Sequence, residues 1–230
     1  MDKHRASIEE IIKNSFSSQK ASLKEFYLFG KLVYVQDPFV GSIDVQDVIN
    51  EIEETIPSHL FEEIDTIIVG TFDFLDDRDL EAAYQEGAIY VNNKIISNRD
   101  LLENILHEMA HSLENSMGYL IYADNRLHSE FLGKRQRLKS ILDGEGFDTW
   151  YDFSNTEYDA EFDTFLYKDV GYPVLRSLSD GLFHTPYAVT SLREYWASGV
   201  EDYFLGNRDL VKKVSPILFS KIEGVIFHED

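Results

Sequence analysis

Apolar residues recur along this chain with two different periods. Alternating or continuous β-branched runs dominate its first half, and helical spacing dominates its second. Residues 6–26 carry Ile8, Ile11, Ile12, Phe16 and Leu23 in helical register and predict a helix. Leu32-Val33-Tyr34-Val35 predicts a short strand before the Asp37-Pro38 turn. Apolar positions from Ile43 to Ile56 predict a helix over 44–55, and Ser58 is expected to cap a short helix ending before Asp65. Thr66-Ile67-Ile68-Val69-Gly70 reads as a buried strand by its β-branched content. The run Ala82 to Val91 reads as two strands joined by a turn near Gly87.

The pattern then changes to helical. Leu102, Ile105, Leu106, Met109, Ala110, Leu113 and Met117 form one stripe of an amphipathic helix. Ser97-Asn98-Arg99-Asp100 supplies its N-terminal cap, with an acid in the first turn. Residues 119–125 are expected to be irregular. Residues 125–142 predict a further helix, closed by Asp143-Gly144-Glu145-Gly146. Residues 147–182 are aromatic and acidic with mixed signals, and 191–205 and 207–222 predict two more helices. No repeat or low-complexity linker interrupts the chain. The expected class is α+β in one domain over 1–230, with a small mixed sheet in the N-terminal half and a mostly helical C-terminal half.

Composition narrows what such a chain does. Its 230 residues are 43% apolar, enough for one compact domain. The 21 basic and 42 acidic side chains give a net charge of −21. That charge repels nucleic acid and anionic membranes, so neither is expected as a partner. With no cysteine there is no disulfide, and any metal site must use histidine and carboxylate. Met1 to Ser7 is charged and no apolar run follows it, so no signal peptide is expected. No apolar stretch approaches a membrane span. These features predict a protein that is cytoplasmic or released without a recognisable signal. The acids between Asp73 and Glu81 lack the spacing and the glycine of an EF-hand and are expected to be a solvated loop.

The amphipathic helix carries His107-Glu108-Met109-Ala110-His111, an H-E-x-x-H run. A helix turns about 100° per residue, so the two imidazoles project within about 40° of each other. That spacing lets them share one zinc ion, with Glu108 one step round and close enough to act on a metal-bound water. A solvated helix face would also accommodate two histidines and a glutamate.

Zinc held by two histidines needs a third protein ligand. A metzincin pattern would put a histidine six residues after His111, where Met117 stands. His128 and Glu201 are alternatives. Glu114 shares the histidine face but is better placed as a surface acid. Glu194, in Tyr187-Ala188-Val189-Thr190-Ser191-Leu192-Arg193-Glu194-Tyr195-Trp196-Ala197, is the strongest candidate.

This last string, together with the H-E-x-x-H run, resembles the gluzincin metallopeptidases related to the catalytic domain of anthrax lethal factor, including the Pro-Pro endopeptidases. Those proteins pair H-E-x-x-H with a glutamate opening an E-aromatic-aromatic-Ala helix, and place a tyrosine seven residues before that glutamate. The likeness runs from about Ala83 to Phe204. It implies a zincin-like fold, and Zn2+ held by His107, His111 and Glu194. It further implies Glu108 as general base and Tyr187 as oxyanion donor. The implied activity is zinc-dependent hydrolysis of peptide bonds through a metal-activated water, on a protein or peptide substrate. A substrate strand would lie along the edge near Ala83-Tyr84-Gln85. The alternative is a catalytically inactive zincin-fold binding protein. Two departures stand out. Residues 147–182 look like an insertion. Ser198 occupies the place, four residues after Glu194, where the family often has an acid that orients a ligand; Ser198, Glu201 or a backbone carbonyl would have to serve instead.

Overall fold

The computed structural model describes residues 24–228. The chain separates into two compact units, with the boundary after Ile105.

The first unit is built on a five-stranded mixed sheet. Strands β1 (Lys24–Leu28) and β2 (Lys31–Val35) form an antiparallel hairpin. Its turn, Phe29-Gly30, has both residues at positive φ, the geometry that matches strand twist. Residues 24–26 are therefore strand, because they pair with Val35, Tyr34 and Val33. The rest of the helix expected over 6–26 lies outside the described residues. Helix α1 (Val45–Thr55) follows, with the Asp44 carboxylate accepting from the Asp47 amide. Ser58 opens a single 3-10 turn (Ser58–Phe61) without capping it through its side chain.

Strand β3 (Thr66–Gly70) lies parallel to β2. The acidic segment expected as a loop begins with a short helical turn, α2 (Asp73–Asp76). Asp76 accepts from Lys94 at 2.6 Å and from Asn92 at 2.8 Å, so this acid is used to fix the chain after the sheet. Strands β4 (Ala82–Gln85) and β5 (Ala88–Asn92) form a second hairpin through Glu86-Gly87, again with both φ positive. Sheet order is β1-β2-β3-β5-β4, so β4 is an edge strand.

Helix α3 (Asn98–Tyr122) begins in the first unit and continues into the second. Its start is a reciprocal capping box: Ser97 Oγ accepts from the Asp100 amide, and Asp100 Oδ2 accepts from the Ser97 amide, both at 3.1 Å. The helix runs through Gly118 to Tyr122, beyond the point where irregular chain is expected. An α-helical Gly costs only about 1 kcal/mol relative to Ala. Buried Leu113 and Ile121 on either side offset that cost.

The second unit is helical. Helix α4 (Arg126–Gly144) follows Asn125, which takes the left-handed conformation. The suspected insertion is folded: α5 (Ala160–Thr164), a π-helical stretch (Phe165–Gly171) and α6 (Tyr172–Leu178). Arg135 of α4, 1% exposed, holds it. Its guanidinium lies 4.2 Å from the Phe162 ring centre and 5.9 Å from that of Phe153, and it donates to the Asn155 carbonyl. Helices α7 (Leu192–Leu205), α8 (Arg208–Val214) and α9 (Pro216–Ile226) complete the unit. The single helix expected over 207–222 is broken at Ser215-Pro216, because Pro216 has no N–H to continue α8 and starts α9 instead.

Gly199 sets how closely α7 approaches α9. A Cβ there would lie 2.3 Å from Leu218 Cδ2 and 2.9 Å from its Cγ, and Leu218 is fully buried. Gly199→Ala is therefore expected to destabilise the protein by about 1–3 kcal/mol, the cost of overpacking. Chemical denaturation will measure it. An unchanged midpoint would mean that Leu218 can move aside.

Candidate metal centre

The second ligand-bearing helix is placed by its own sequence. Ser191 is extended, and its hydroxyl accepts from the Glu194 amide at 3.1 Å. The Ser-x-x-Glu start thus fixes Glu194 in the first turn of α7. Two residues on, the indole N–H of Trp196 donates to the Ala110 carbonyl at 2.9 Å, and Trp196 is fully buried. That bond pins α7 to α3 beside His111.

Glu194 consequently meets both histidines. His107 Nε2 lies 2.9 Å from Glu194 Oε2, and His111 Nε2 lies 3.5 Å from Glu194 Oε1. The imidazole centres are 5.0 Å apart and nearly perpendicular. One donor atom from each of the three residues falls within 4.8 Å of the other two. Two imidazoles and a carboxylate, without thiolate, are a donor set that a divalent metal ion accepts. Among the described residues this is the group able to hold a metal. The histidine face is not solvated: the side chains of His107, His111 and Glu194 are 17%, 12% and 16% exposed.

The electrostatics are those of a carboxylate-rich pocket. Burial disfavours charge on His107, but Glu194 and Glu201 outweigh it and push its pKa up to about 10. Burial likewise opposes charge on His111, and Glu114 with Glu194 raises it to about 9. Glu194 is held far below the ordinary carboxylate range by the two imidazoles, against the effect of burial. Both imidazoles are thus shifted towards their protonated forms, and a metal ion binding at such nitrogens releases protons.

Glu108 is buried, at 8% exposure, and its charge is felt at His107. Tyr187 sits in a 3-10 turn (Tyr187–Val189), with its ring centre 6.5 Å from that of His107. Burial, and then the charge of Glu194, raise the Tyr187 pKa well above the usual phenol value, so it remains an O–H donor.

The other candidates separate. His128 is not part of the cluster. Glu201 lies on the outer side, 3.5 Å from His107 Nδ1. Ser198 is buried and accepts from the Thr185 hydroxyl at 3.2 Å. Glu114 is not a surface acid: its side chain is 10% exposed, and Oε1 lies 2.8 Å from His111 Nδ1. Its other oxygen accepts from Arg193 Nε at 2.8 Å and from the Tyr122 hydroxyl at 3.2 Å. The signal for this contact was the i,i+3 spacing from His111, but which partner Glu114 finds depends on α7.

A second polar chain runs through the same unit. His184 Nδ1 lies 3.0 Å from Asp202 Oδ2, and its Nε2 lies 2.8 Å from Ser215 Oγ. Ser215 also accepts from Lys134 Nζ at 2.6 Å. The order Asp-His-Ser is that of a hydrolase triad, but Ser215 is fully buried, so its hydroxyl joins helices and meets no substrate.

No protein-family model, no curated protein and no solved structure matches the chain.

Proposed function

We propose that this protein is a zinc-dependent endopeptidase of the gluzincin type, acting on a protein or peptide substrate. The observation that carries the reading is the meeting of Glu194 with His107, 87 residues away in sequence, and with His111. Two histidines and a glutamate are one of the ligand sets of catalytic zinc sites, which keep a further position open. Zinc bound there supplies Lewis acidity, lowering the pKa of water towards neutrality and polarising a carbonyl.

The chain's own residues do the rest. Glu108 accepts the proton of the attacking water and passes it to the departing amine. It follows His107 directly on α3 and is shielded from solvent. Tyr187 keeps its hydroxyl proton and donates it as a hydrogen bond to the negative oxygen that develops on the carbonyl.

Metal removal tests this reading. Dialysis against a chelator is expected to abolish cleavage of an unfolded protein such as reduced casein. One equivalent of zinc, confirmed by elemental analysis, is expected to restore it. Cleavage that survives complete metal removal would sink the proposal.

A further inference from the structure

Each imidazole of the candidate centre presents Nε2 to Glu194 and turns Nδ1 outward to a second carboxylate. For His111 that carboxylate is Glu114, at 2.8 Å; for His107 it is Glu201, at 3.5 Å. The two contacts differ in kind. Glu114 is within ordinary hydrogen-bond distance, whereas Glu201 is at its limit. Glu114 is also clamped, since Oε2 accepts from both Arg193 and Tyr122. Arg193 immediately precedes Glu194 in α7.

We propose that Glu114 is the positioning residue of the His111 ligand, and that Arg193 and Tyr122 hold it in that role. The inference rests on the metal-site reading above. A carboxylate accepting from Nδ1–H fixes the tautomer that leaves the Nε2 lone pair free, and it locks the ring plane. Residues three apart on a helix share a face, so α3 alone brings Glu114 near His111. Tyr122, two turns further along α3, donates to Glu114 Oε2 from the same helix. Arg193 donates to the same oxygen from α7, so the residue beside the third ligand shares in orienting the second. A carboxylate this little exposed is costly unless it is paired and bonded, and here both oxygens are used.

The test is zinc affinity, measured by competition with a chromophoric chelator on the full chain. Wild type, Glu114→Ala, Glu114→Gln, Arg193→Ala and the double variant Glu114→Ala/Arg193→Ala are compared. Visible spectra of the cobalt-substituted proteins are recorded alongside. Glu114→Ala is expected to weaken zinc binding about 10–100-fold, the usual effect of losing an outer partner. It is also expected to change the cobalt spectrum. Glu114→Gln, whose amide oxygen still accepts from Nδ1–H, is expected to recover part of the loss. Arg193→Ala is expected to weaken binding less, and to add nothing in the absence of Glu114. An affinity and cobalt spectrum unchanged in Glu114→Gln and Glu114→Ala overturn the proposal. So does full additivity of the Glu114 and Arg193 effects. If Glu114→Ala does not fold, Glu114→Gln and Arg193→Ala decide the matter alone. Wild type that binds no zinc overturns the metal-site reading itself, and the positioning role with it.

Discussion

Glu194→Ala is expected to reduce bound zinc from about one equivalent to near zero, because two histidines alone do not make a stable protein site. The loss should exceed the roughly 10–100-fold effect of removing an outer partner. The variant should also alter the response to pH. In the wild type, Glu194 helps hold the His107 and His111 pKa values near 10 and 9, so at neutral pH zinc has to displace protons from both rings. Wild-type affinity should therefore rise with pH until the imidazoles are neutral, at about 9 to 10. Without Glu194 the imidazoles lose a carboxylate they share, their pKa values fall, and less proton release accompanies whatever binding remains. Elemental analysis gives the stoichiometry, and calorimetry in buffers of different ionisation enthalpy gives the protons released. Equal zinc in both proteins would move the third ligand away from Glu194, with Glu201 the next acid in reach of His107.

Glu108→Gln should separate catalysis from metal binding. The substitution keeps the side chain's shape at a buried position, but glutamine cannot take a proton from water. Peptide-bond cleavage is expected to fall by about 10²–10⁴-fold, the contribution of a positioned general base. Zinc content and the thermal midpoint are expected to stay near their wild-type values. The measurement is turnover on a substrate established with the wild type, at matched zinc occupancy. Wild-type turnover in this variant would remove Glu108 from the chemistry.

Much of the site was legible because its signals are local. H-E-x-x-H needs only the helical period of α3 to bring its imidazoles to one face. Ser191-x-x-Glu194 needs only its own capping hydrogen bond to place the glutamate in a first turn. The strand at Thr66–Gly70 and the hairpin around Gly87 follow from β-branched content and a glycine able to adopt positive φ. Other local signals compete with the apolar period. Pro216 marks the break between α8 and α9, and Phe29-Gly30 marks a hairpin whose first strand begins at Lys24, within a segment where helical spacing predicts helix.

What the sequence by itself determined, then, is the inventory: strands early, helices late, and three nitrogen or oxygen donors that can bind a metal. Each of these follows from short-range periodicity and caps. The convergence of those donors was decided by tertiary packing. The Trp196 bond to the Ala110 carbonyl holds α7 where Glu194 faces the two imidazoles. The same packing brings Arg193 against Glu114, an expected surface acid that α3 already places beside His111. It also made the aromatic, acidic stretch from 147 to 182 into folded structure around one buried guanidinium. Contacts of this kind join residues far apart in the chain, and no periodicity within either partner encodes which residue the other will meet.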